Sequence, residues 1–88
     1  MGATVSRSSF DYKECVTVPV IAGFDSNGII IPIYVRIDGS KYKVDEYSAK
    51  TKFAGVTEYR CIVSFKERTM PLELTYYSNE SVWTIPKR

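Results

Sequence analysis

Eighty-eight residues, 44% of them hydrophobic and 25% charged, match an ordinary globular domain and exclude a disordered chain. The balance of 12 basic and 10 acidic residues leaves a net charge of +2 scattered along the chain, so no basic block announces nucleic acid or an anionic membrane. Histidine is absent, which removes the commonest general base at neutral pH and with it much catalytic chemistry.

Residues 1–9 are polar, small and without periodicity, and the segment 1–12 is expected to be flexible unless Phe10 and Tyr12 tie it down. Met-Gly-Ala-Thr-Val-Ser also fits the loose N-myristoylation pattern at Gly2, against which stands the plainer reading of an unmodified, flexible start. Residues 13–88 are expected to form a single folded domain.

A first strand is predicted over 15–23, with Val16, Val18 and Val20 on one side and Cys15, Thr17 and Ile21 on the other. Asp25-Ser26-Asn27-Gly28 then makes a turn into a second strand over 29–37. There Ile29, Ile31, Ile33, Val35 and Ile37 alternate onto one face, the strongest period-two signal in the chain. Asp38-Gly39 is a second hairpin turn, which pairs Val35 with Tyr42 and Ile33 with Val44.

Residues 48–55 carry no repeat and are expected to be the longest internal connection, the place for a functional loop. The strand over 56–66 points Tyr59, Cys61, Val63 and Phe65 inward and Glu58, Arg60, Ser64 and Lys66 outward. Glu67-Arg68 turns into a strand with Met70, Leu72 and Leu74 on its apolar face, where Pro71 indicates an outer edge or a strand start. Ser78-Asn79-Glu80 makes the last turn before Val82, Trp83 and Ile85. Asn79-Glu80-Ser81 reads as part of that turn in preference to a glycosylation acceptor.

Short sequential hairpins of this kind predict an all-β fold, an antiparallel meander of about five or six strands closing into a small SH3-like barrel. Two packed sheets are the alternative, because strand count does not separate closure from a sandwich. A core of this size is thin and leaves little volume for an internal pocket, so no cofactor is expected. No segment approaches the roughly 18 apolar residues of a membrane helix, and the start lacks the apolar core of a secretory signal. A cytoplasmic protein without membrane contact is the expectation. Cys15 and Cys61 fall inside strands without metal or redox spacing, so buried structural thiols are expected, with a disulfide as the alternative.

Phe24-Asp25-Ser26-Asn27-Gly28, Pro32, Asp38-Gly39 with Tyr42 and Val44, Tyr59-Arg60, and Leu74, Tyr76 and Trp83 together resemble a family of short, functionally uncharacterised bacterial proteins. The resemblance spans residues 18–86. It differs from the family pattern in carrying Val35-Arg36-Ile37 before the Asp-Gly turn and Glu58-Tyr59-Arg60 in reversed order. What it implies is a bacterial, cytoplasmic setting and no catalytic residue.

Few constellations carry chemistry. Asp45-Glu46 is an adjacent acidic pair that alternation sends to opposite faces, unlike a proton-sharing dyad. Asp25-Ser26-Asn27-Gly28 begins like a calcium loop but lacks its closing glutamate, so no metal is expected. The distinctive feature is a set of apolar residues on the nominal outer face: Ile21, Ile30, Tyr34, Tyr47 and Ile62. The predicted register sets Ile21 across from Tyr34 and Ile30 across from Tyr47, a contiguous patch whose plainer reading is a cover by Phe10 and Tyr12 or a sheet buried on both faces, and whose functional reading is a protein partner or a second copy. The functional expectation is therefore a non-catalytic interaction module. The alternative is single-stranded nucleic-acid binding through Tyr34, Arg36, Lys43 and Arg60, opposed by the interleaved Asp38, Asp45 and Glu58.

Overall fold

The computed structural model describes residues 15–87, so the expectations attached to Gly2, Phe10 and Tyr12 and to a flexible segment lie outside the described residues. The strands are β1 (Cys15–Val18), β2 (Val20–Phe24), β3 (Ile30–Ile37), β4 (Ser40–Phe53), β5 (Val56–Phe65), β6 (Arg68–Tyr77) and β7 (Val82–Pro86). All pair antiparallel in one seven-stranded sheet of order β1-β7-β6-β5-β4-β3-β2, curled into a half-barrel. The described residues contain no helix, and so none long and apolar enough to cross a membrane.

The segment expected to be one strand over 15–23 is two. Pro19 has no amide to donate, which ends the ladder of β1 and lets the chain bend. The Pro19 carbonyl still accepts the Arg36 N–H at 3.0 Å, tying the bend to β3. Before the bend β1 pairs with β7, and after it β2 pairs with β3, so one short segment serves both edges of the sheet.

Local chemistry sets the hairpins. Asp25 Oδ1 accepts the amides of Asn27 (2.8 Å) and Ile29 (2.9 Å), satisfying the donors that the turn would otherwise leave bare. That use of the carboxylate accounts for the Asp25-Ser26-Asn27-Gly28 sequence without a metal. At the next hairpin Asp38 and Gly39 both take positive φ, 51° and 83°, the geometry whose twist matches the flanking strands. Val35 and Tyr42 pair there as the turn predicts.

Beyond that point β-bulges at Ile33, Asp45 and Lys52 redirect the sheet. Ile21 pairs with Tyr34 but Ala22 pairs with Pro32, which leaves Ile33 as an extra residue on β3. Alternation on β3 therefore breaks: Val35, Ile37 and Pro32 are buried and Ile30 packs on the core, whereas Ile29 and Ile33 are exposed. Ile33 instead lies over Gly23, where a Cβ would sit 3.2 Å from its Cδ1. The expected Ile33–Val44 pair does not form, because the β3–β4 ladder reaches only Tyr34 and Lys43. A second bulge at Asp45 shifts β4 against β5 between Val44 and Glu46.

Residues 48–55, expected as a connection, are mostly strand. β4 continues to Phe53 and turns at Ala54-Gly55 straight into β5. The pattern lacks an apolar face here because every residue from 45 to 54 is exposed. A strand with no core to bury has no reason to alternate.

The core assembles where β3 to β7 curl together. Val35, Val63 and Leu74 are fully buried, joined by Ile37, Tyr59, Cys61, Trp83 and Ile85. Tyr59, Cys61 and Val63 face inward as alternation predicts, while Phe65 is half-buried against the Tyr42 ring at 5.2 Å. Met70, Leu72 and Leu74 line the inner face of β6. Pro71 lies in the part of β6 paired with β5 alone, since the β6–β7 ladder covers only Thr75 to Tyr77. Its missing amide therefore falls where no partner strand needs it.

Candidate functional site

The sheet register separates the five outer-face candidates. Ile21 lies across from Tyr34, and directly opposed residues of an antiparallel pair share a face. Ile21 is 55% exposed beside the half-buried Tyr34, so this half of the expected patch exists. The other half does not. The Ile33 bulge turns Ile30 inward, where it packs on the core and its carbonyl accepts the Tyr59 hydroxyl. The Asp45 bulge likewise sets Tyr47 across from buried Cys61, with its ring 6.0 Å from that of Tyr59. Ile62 remains on the outer face, but between Glu46 and Pro71 on the strands either side of it.

What gathers around Ile21 and Tyr34 is positive charge. Tyr34 pairs with Lys43 and Arg36 pairs with Lys41, all on the face turned from the core. The Lys41 ammonium sits 4.6 Å from the centre of the Tyr34 ring, a cation–π contact that holds the lysine over the aromatic. A shallow cavity of about 180 Å³ opens here, lined by Pro19, Ile21, Tyr34, Val35, Arg36 and Lys41. Its floor is apolar and its rim cationic. Arg60 takes no part, being flanked by Ser48 on β4 and Glu73 on β6. Tyr34, Arg36 and Lys43 are thus brought together and Arg60 is not.

Two contributors escape a reading of the sequence. Lys41 shares the outward parity of Lys43 and could have been found from alternation after the Asp38-Gly39 turn. Pro19 could not, because its place in the cavity depends on the bend that joins β1 to β2.

On the opposite, inner face the aromatic rings form a chain. Tyr76 and Trp83 stand 4.7 Å apart, Trp83 and Tyr59 5.2 Å, and Tyr47 ends the row in solvent. Burial raises the Tyr59 phenol above its usual range, with Tyr47 and Tyr76 adding to the effect. Cys61 is a buried free thiol pushed up to about 11 by the same loss of solvent, which keeps it protonated and poorly nucleophilic. Among the described residues no group of three or more Asp, Glu or Cys converges on a metal position.

The raised thiol makes stability depend on pH. A group whose folded pKa exceeds its unfolded value contributes fully below the unfolded value, here 9.0, and loses that contribution as pH climbs through about 11. Urea unfolding is therefore expected to show stability falling above pH 9.0, with Cys61→Val flattening the fall until Tyr59 begins to contribute beyond 10.0. Identical pH slopes for the two proteins would remove the thiol from this role.

Compared with protein-family models, with curated proteins and with solved structures, the chain matches none, so the reading of its function rests on this site.

Proposed function

We propose that this chain is a non-catalytic interaction module that binds an extended protein segment carrying an aliphatic side chain beside acidic groups. The observation that carries the reading is the cavity at Ile21 and Tyr34, an exposed apolar floor rimmed by Arg36 and Lys41, with Lys43 paired to Tyr34 on the same face. An aliphatic side chain would bury against Ile21 and Pro19, and carboxylates would meet the rim, where charge steers encounter and register. The absence of histidine and the protonated, buried state of Cys61 support a binding role over a catalytic one.

The same reading takes the fold as an SH3-like barrel, with β1 and β2 acting as one bent strand. Round the sheet through β7, β6 and β5, Val18 is connected to the level of Thr51 on β4. Through β3, neighbouring Val20 is connected to Tyr42 on the same strand. A stagger of this kind is what closing a sheet into a barrel requires, which supports closure over a two-sheet sandwich.

A labelled peptide alternating leucine and glutamate is expected to bind wild-type protein by fluorescence anisotropy, and to lose that binding in Ile21→Asp and in Arg36→Glu. No binding, or binding indifferent to both changes, would sink the proposal. The second reading, single-stranded nucleic acid, is favoured by the meeting of Tyr34, Arg36 and Lys43 on one face. It ranks behind the peptide because Lys41 already covers a face of the Tyr34 ring that a base would stack on. An oligothymidylate that binds more tightly than the peptide, with affinity falling steeply in salt, would reverse the order.

A further inference from the structure

β4 is the longest strand of the sheet, and β3 pairs with its first residues only, from Ser40 to Lys43. From 44 onward β5 is its one ladder partner among the described residues. Among the described residues no strand pairs along its other edge, and every side chain from 45 to 54 is exposed. An open edge of this length is a template for another strand. Proteins commonly blunt such edges with bulges and lysines, and both occur here, but the bulges at Asp45 and Lys52 flank the regular stretch 46–51 without interrupting it.

The side chains of that stretch are complementary to themselves. Register with β5 puts Glu46, Ser48 and Lys50 on the outer face, opposite Ile62, Arg60 and Glu58, and Tyr47 and Ala49 on the inner face, opposite Cys61 and Tyr59. An antiparallel copy centred on Ser48 would set Glu46 against Lys50 of the second copy twice, and Tyr47 against Ala49 twice. Glu46 and Lys50 have no ion-pair partner among the described residues, since the nearby Glu58 is held by Lys52 at 3.5 Å. Tyr47, exposed at the end of the inner aromatic row, would gain a neighbour across the new ladder.

We infer that β4 pairs with β4 of a second copy, antiparallel about Ser48, to extend the sheet across a two-fold axis. This does not depend on the proposed cavity at Ile21, which uses the other end of β4. The test is light-scattering mass as a function of protein concentration up to about 1 mM. Wild type is expected to move toward twice the chain mass, and Glu46→Lys and Lys50→Glu each to weaken association by about ten-fold or more, because each replaces two attractive pairs with two like-charge pairs. The double reversal Glu46→Lys with Lys50→Glu is expected to restore it. Both positions are exposed, and unchanged circular dichroism would show that the variants fold. A wild-type chain that stays monomeric, single reversals that leave the dimer intact, or a double reversal that fails to restore it would each overturn the proposal.

Discussion

Trp83→Ala is expected to lower the free energy of unfolding by about 3–5 kcal/mol, the range for removing a large aromatic from a packed interior. Trp83 is only 7% exposed and meets Tyr76 and Tyr59 with ring centroids 4.7 and 5.2 Å away. Tilted aromatic pairs of this kind add to the burial itself, and both would be lost at once. The position also lies where β7 is gripped from two sides, by Val18 of β1 and by Tyr76 of β6. A small domain has a total stability of about 5–15 kcal/mol, so the variant is expected to lose a large fraction of it. A urea midpoint is the measurement. A shift of under about 1 kcal/mol would mean that Trp83 does not pack as described and belongs to a binding surface.

Tyr59→Ala is expected to cost as much, about 3–5 kcal/mol, and Tyr59→Phe separates the reasons. The ring is 1% exposed and touches both Tyr47 and Trp83. Its hydroxyl donates to the Ile30 carbonyl, on the part of β3 that has left the β4 ladder. A side chain of β5 thus closes a gap that backbone pairing leaves open. Tyr59→Phe keeps the ring and strips the donor from a partly buried carbonyl, a loss of about 1–3 kcal/mol. Hydrogen exchange should then accelerate at the β2–β3 hairpin more than in β5 and β6. Equal protection in all strands would show that the hydroxyl does not hold the hairpin in place.

The expected binding patch shows how a correct pattern can give a wrong surface. Ile21 faces Tyr34 as expected, but on the far side of the Ile33 bulge from the Asp25–Gly28 turn: the ladder from Phe24–Ile30 to Ala22–Pro32, run on, would set Ile21 against Ile33, and the bulge restores the expected pair. Ile30 and Tyr47 do not face outward as expected, because each lies past a bulge counted from the Asp38-Gly39 turn. One extra residue at Ile33 or Asp45 reverses every side chain beyond it, and nothing in an isoleucine run marks which residue will be left unpaired. The basic rim followed the same rule: Arg36 and Lys43 sit close to the Asp38-Gly39 turn and were placed correctly, whereas Arg60 was grouped with them by parity alone across a strand boundary. Parity assigns a face but not a position along it.

The all-β class, the tight turns at residues 25–28 and 38–39, and the inward set of β5 and β6 follow from the order of residues alone, since these depend on local alternation and on residues that take positive φ. The assembled sheet was needed to show that Pro19 splits the first strand between two partners, that residues 48–53 are an exposed strand, and that Ile30 and Tyr47 turn to the inner face. Each of those depends on which strand lies alongside. Pairing across the sheet joins residues far apart in the chain, and a period-two pattern does not encode where a neighbour begins, ends or slips by one.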